Sequence, residues 1–224
     1  MPSPCSAVRC VVAGVVLALV GSPPQVCAQL VFEPVGTGSF AVASTLSFIP
    51  NASLFGLDAT YMISEQFGLG GGFASILDAE GRNEPGTSMA FGPTFYSRRP
   101  TAADPTAGAL SLRVGFVPDA TFSSSRDQID ALSVAVGVLA ARNLIPSEAP
   151  IGVAPLLTGN VALLLARETS ANGNQPLQTN TAYGGALGIA IGARLGTAVV
   201  VVFQPSFGAT WVETQRADQI GFTL

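Results

Sequence analysis

The sequence predicts an all-β protein, a closed antiparallel up-and-down transmembrane β-barrel of about eight to ten strands, with ten favoured. Three observations predict it. Hydrophobicity alternates with a period of two along about ten successive segments, each roughly the length a tilted strand needs to cross a bilayer. The face opposite the large aliphatics is Gly, Ala, Ser and Thr, which suits a narrow barrel interior and is too apolar for the wet side of a soluble sheet. Finally, 48% of residues are hydrophobic and only 11% are charged, against about a quarter charged in ordinary soluble domains.

The chain opens with a segment that reads as a secretory signal, residues 1–28. Arg9 supplies the positive charge, residues 10–21 form an apolar run, and Val26-Cys27-Ala28 makes a small-residue cleavage pattern. The apolar run is too short for a membrane-spanning helix across ~30 Å of hydrocarbon. Pro24-Gln25-Val26 before Cys27 is a poor lipoprotein signal. All three cysteines (Cys5, Cys10, Cys27) fall inside this segment, so the exported chain is expected to have no disulfide framework. Residues 29–38 read as an irregular lead and residues 39–224 as the barrel domain.

Each predicted strand shows the same two faces. Phe40, Val42, Leu46 and Phe48 oppose Ala41, Ala43, Thr45 and Ser47. Phe55, Leu57, Ala59 and Tyr61 oppose Gly56, Asp58 and Thr60. Phe67, Leu69, Phe73 and Leu77 oppose Gly68, Gly70, Gly72 and Ala74. Met89, Phe91, Pro93 and Phe95 oppose Ala90, Gly92, Thr94, Tyr96 and Arg98; Pro93 lacks a ladder donor and predicts a bulge. Leu110, Leu112, Val114 and Phe116 oppose Ser111, Arg113 and Gly115, and Leu132 to Val138 oppose Ser133, Ala135 and Gly137 in the same way. Residues 151–168 are the least regular segment. The connectors alternate between inner turns (64–66, 99–108, 143–150 and the bend at Gly196) and outer loops (50–51, 78–87, 118–130, 169–178, 213–218). Three of the outer loops are long and polar, as such barrels expect.

Residues 180–213 admit two readings. Gly184, Gly188, Gly192 and Gly196 repeat every four residues, the small-residue spacing of packed membrane helices. Four is also a multiple of two, so the same glycines line one face of a strand. Arg194 in mid-segment and the β-branched run 199–202 argue for a hairpin of two long strands.

The signal, the SEQFGLGGGF unit at residues 64–73, the closing hairpin and a last strand with alternating Ile220, Phe222 and Leu224 resemble the small outer-membrane β-barrel proteins of Gram-negative bacteria, the OmpA-like and OmpW-like group. The resemblance implies outer-membrane lipids as surroundings. It also implies a barrel-assembly machinery that reads the last residues, where Ile220, Phe222 and Leu224 would be the assembly signal; the family usually ends in Phe, and this chain ends in Leu224.

Function is constrained mostly by exclusion. A net charge of −4 argues against nucleic acid as a partner. The chain has no His, which removes Ser-His and Cys-His nucleophiles and most zinc sites; no catalysis, cofactor or metal is expected. The acidic loop residues Asp78, Glu80, Glu84, Asp119, Asp127 and Asp130 lack calcium-loop spacing and read as solvated. Parity places Asp58, Arg98, Arg113, Arg194 and Gln204 inside the barrel, with Thr60 and Thr94. They form either an ion-pair network that plugs the lumen or a narrow pore with arginine constrictions that favour anions. Phe48, Phe55, Tyr61, Phe67, Phe203, Phe207 and Trp211 fall outside and read as interfacial girdles. The expected role is structural, surface-interacting or a narrow small-solute pore. A soluble secreted barrel holding an apolar ligand and a lipid-modifying barrel enzyme are the alternatives.

Overall fold

A computed structural model describes residues 37–49, 52–79, 87–98, 104–122, 127–145, 151–170, 173–174, 178–195, 199–212 and 215–224. The signal, nearly all of the lead, and the loop residues Glu80 and Glu84 lie outside the described residues. The strands are β1 (Phe40–Ile49), β2 (Ala52–Met62), β3 (Phe67–Ala79), β4 (Thr87–Arg98), β5 (Thr106–Phe122), β6 (Asp127–Arg142), β7 (Ile151–Ser170), β8 (Gly173–Asn174), β9 (Gln178–Leu195), β10 (Val199–Val212) and β11 (Gln215–Thr223). Every pairing is antiparallel. Neighbours in sequence pair, β7 pairs with β9, and β11 returns to β1, so ten strands close a ring; the two-residue β8 only folds back on the end of β7. The closure leaves no barrel strand with an unpaired edge.

Within residues 180–213, β9 and β10 therefore pair as antiparallel strands, with Val200 opposite Arg194 and Val212 opposite Ala182. The strands run longer than the alternation suggested. Most of the predicted loop 118–130 is ladder, Thr121 facing Gln128 and Ala120 facing Ile129. The irregular segment 151–168 is the longest strand, at 20 residues. Its alternation is hard to see because Leu156 and Leu164 point inward while Leu157 and Leu163 point outward, so both faces carry leucine.

The barrel is inside-out relative to a soluble one. Phe40, Leu69, Phe91, Leu112, Val138, Leu157, Leu187 and Phe207 are exposed on the outer face, while inward alanines such as Ala135, Ala154 and Ala190 are sealed. A water-soluble carrier would reverse this arrangement. The aromatic residues predicted to lie outside do so, and several pair across strands: Phe48 meets Phe222 edge-on and Tyr183 stacks on Trp211.

Candidate functional site: the barrel lumen

The lumen is built in two layers. At the end that holds the β2–β3 turn, the inward residues are Met62, Tyr96, Ala107, Ala109, Leu139, Ala141, Ala154, Leu156, Ala190 and Val202, none more than 7% exposed. They come from β2, β4, β5, β6, β7, β9 and β10 and pack as one apolar cluster with Val200 against it. Seven of the ten barrel strands thus contribute to a dry plug across the interior. Large residues at inward parity (Met62, Leu139, Leu156, Val202) were the signal for it in the sequence, hidden by the prevalence of Gly and Ala on the same face.

Next to the plug lies a polar layer. Arg113, on β5, has a side chain only 1% exposed. Its Nη1 donates to the carbonyls of Gly70 and Gly92, both at 2.5 Å, and its Nη2 stands 3.9 Å from Asp58 Oδ1 on β2. A buried guanidinium is costly unless paired and hydrogen-bonded. Here two carbonyls take Nη1 and Asp58 offers an ion pair at 3.9 Å, while Nε and Nη2 have no hydrogen-bond partner among the described residues.

The neighbouring glycines explain how so large a side chain fits. In register across the inner wall stand Thr60–Gly70–Gly92 and Asp58–Gly72–Ala90. A Cβ on Gly70 would come within 2.8 Å of Arg113 Nη2 and 2.6 Å of Thr60 Oγ1. One on Gly72 would come within 2.7 Å of Asp58 Oδ2, and one on Gly92 would run into the Leu112 carbonyl oxygen. The glycines of β3 and β4 form the trough in which Arg113 lies.

Pro93 contributes differently from expectation. The ladder to β5 keeps its register through Phe91↔Val114 and Thr94↔Ser111, and Gly92 and Pro93 are absent from the β4–β5 pairing. Proline has no N–H to give. At this interruption the Gly92 carbonyl accepts from Arg113. The bulge occurs further on, between Phe95 and Arg98.

That bulge also corrects the placement of Arg98. Strict alternation put it inside; the register shift carries it to the rim, where its side chain is 62% exposed. There Arg98 Nη1 lies 3.4 Å from Asp104 Oδ2 and donates to Thr106 Oγ1. The Asp104 carboxyl is held below its ordinary range, first by the Thr106 hydroxyl at 2.6 Å, then by the Thr106 amide, with Arg98 adding to them.

Of the other residues assigned inside, Gln204 faces the lumen from β10, 3% exposed, opposite Thr223. It is not among the contacts of Arg113. Arg194 stands in β9 opposite Val200, and its side chain lies outside the described residues. Ile220, Phe222 and Leu224 are all exposed on the outer face; Phe222 packs between Phe48 and Phe203, and the Leu224 amide and carbonyl pair with Ser44. Among the described residues no group of three or more Cys, Asp or Glu comes together as a metal-binding set.

No protein-family model and no curated protein matches the chain. Solved structures similar to the chain are found at low identity. The attachment invasion locus protein Ail of Yersinia pestis is 10% identical over 82% of this chain and 91% of its own, with a TM-score of 0.31. The KdgM porin is 8% identical over 83% of this chain and 98% of its own, with a TM-score of 0.28. Wzi, an outer-membrane protein of Escherichia coli involved in group 1 capsule assembly and a carbohydrate-binding β-barrel, is 12% identical over 91% of this chain and 58% of its own, with a TM-score of 0.23. The barrel is established by the chain's own closed strand ladder.

Proposed function

We propose that the chain is an integral β-barrel of the bacterial outer membrane whose lumen is closed, with a structural or surface-interaction role and no catalytic step. One observation carries the closed lumen: the apolar cluster from Met62 to Val202, contributed by seven strands and sealed from solvent. Ions cross an apolar constriction poorly, because no side chain replaces their hydration. Arg113 supports the same reading. As a pore constriction it would present its guanidinium to passing anions; instead it is buried against Asp58 and two backbone carbonyls.

The membrane location draws on the exposed apolar outer face and on the signal-like N-terminus. The absence of His from the sequence supports the non-catalytic reading over a lipid-modifying enzyme. Surroundings of lipid and insertion by the barrel-assembly machinery through the Ile220–Phe222–Leu224 alternation belong to the same proposal.

Solute flux tests it. Liposomes holding the refolded protein are expected to shrink and stay shrunken in hyperosmotic small sugars, as empty liposomes do. Re-swelling at a rate proportional to protein would overturn the closed lumen. A protein that is monomeric and soluble in plain buffer would overturn the membrane location.

A further inference from the structure

One charged group is left unused by the closed-lumen account. Arg216 and Asp218 lie on the outer, lipid-facing side of β11, in line with Ile220, Phe222 and Leu224. The Arg216 guanidinium sits 5.5 Å above the Trp211 ring, and Trp211 stacks on Tyr183 with centroids 5.5 Å apart and planes 7° apart. These three residues are register neighbours across β9, β10 and β11. Asp218 takes only one edge of the guanidinium: its Oδ1 accepts from Nε at 2.8 Å and lies 2.7 Å from Nη2. More than half of each side chain stays exposed, 56% and 52%. A stacked Tyr–Trp pair topped by arginine at the start of an outward strand face has the chemistry of a membrane interface, where a cation meets phosphate.

Beside this group the outer face dips. The next register row is Gly159–Gly185–Ala209–Asp218, and beyond it stand Leu187, Phe207 and Ile220. The row starts in mid-strand on β7 and ends at the charged pair near the start of β11. Packing within the chain does not demand Gly159: a Cβ there would first meet Val138 Cγ2 at an ordinary 3.4 Å. At Gly185 it would meet a single tight neighbour, the Thr158 carbonyl at 3.1 Å. The inward Gly184, by contrast, is hemmed in by Asn160 Oδ1 and Thr210 Oγ1, each 2.9 Å from such a Cβ. Glycine in a strand weakens it, so Gly159, which no internal contact demands, fits a groove shaped to something outside; Gly185 is demanded only in part, by the Thr158 carbonyl.

We propose that the outer face of β7, β9, β10 and β11 binds one bilayer lipid, its anionic phosphate headgroup at Arg216 and an acyl chain across the Gly159–Gly185 row. The proposal rests on the membrane-barrel reading above. Charge complementarity assigns the headgroup: the exposed guanidinium is held over Trp211 and offers its remaining donors to an oxyanion. Asp218 orients Arg216 and also opposes an incoming anion. The two partners of the pair therefore act in opposite directions on lipid binding, which an ordinary structural ion pair would not do.

Trp211 is the chain's single tryptophan, so its fluorescence reports this site directly. The test is quenching of the full chain, refolded in mixed bilayers, by brominated phosphatidylglycerol or by brominated phosphatidylcholine. The anionic lipid is expected to be favoured by about fivefold, the ratio one arginine near an anionic surface supplies. Arg216→Gln is expected to bring the ratio to about one and Asp218→Asn to raise it, each checked for folding by heat-modifiable gel migration. Equal quenching by both lipids in the native chain, or the same ratio in Arg216→Gln, overturns the proposal and leaves the barrel in its membrane. No quenching by either lipid overturns the membrane reading itself.

Discussion

The two layers of the lumen are made by the same strands from residues a few positions apart, and they close the barrel by different physics. β2 gives Met62 to the apolar layer and Asp58 to the polar one; β5 gives Ala109 and Arg113; β10 gives Val202 and Gln204. The apolar layer needs only bulk of about the right shape, since dispersion and exclusion of water have no direction. The polar layer needs a defined geometry: three glycines for space, an interrupted ladder at Pro93, and one carboxylate. A buried charge tolerates little error, so damage in the polar layer should cost more than damage in the plug.

The largest effect is expected at Arg113. Arg113→Ala strands Asp58 in the lumen and removes the donor to Gly70 and Gly92, a loss of about 3–5 kcal/mol. The urea midpoint for folding into vesicles measures it, and Asp58→Asn should cost less because the two carbonyl bonds survive. In the plug, Leu156→Ala is expected to cost about 2–5 kcal/mol, at the low end if strands relax into the space. If Leu156→Ala outweighs Arg113→Ala, the ranking of the two layers is wrong.

A finer contrast lies among the glycines of the inner wall. Gly72→Val pushes against the Leu57 carbonyl and the Asp58 carboxylate and should lose about 1–3 kcal/mol. A Cβ at Gly56 meets nothing closer than 3.7 Å, so Gly56→Ala should be neutral or slightly stabilising by the same midpoint. Similar losses at both positions would mean that glycine serves these strands generally and not Arg113 in particular.

The smallest effect is at the rim. The Asp104 carboxyl titrates below its ordinary range because Thr106 donates to it. A carboxyl depressed in the folded state lends stability above the unfolded value of about 3.9 and loses it as pH falls through the folded value. Asp104→Asn should therefore lower the melting temperature slightly near neutral pH and flatten its fall on acidification. A steeper acid fall in the variant would contradict this sign.

How much of this was legible in the sequence follows the same division. Alternation depends only on which face of the sheet a residue takes, and it placed Phe40, Leu69, Phe91 and Leu187 outside and Asp58, Arg113 and Gln204 inside. It failed at Arg98, because a register shift between Phe95 and Arg98 moves a side chain off its expected face without a local mark in the sequence. It blurred at β7, where inward Leu156 and Leu164 erase the contrast between faces. Strand ends were under-read, since Thr121 and Gln128 pair by backbone whatever their polarity. The convergence of Arg113 with Gly70 and Gly92 could not be read at all, because it depends on the register of three strands.

Single-channel recording in planar bilayers tests the closed lumen most directly. The native chain is expected to give a silent baseline, and the double variant Leu139→Ala/Leu156→Ala, which thins the plug, to give small steps. Stable unitary steps from the native chain, with an ion selectivity that changes in Arg113→Gln, would contradict the account.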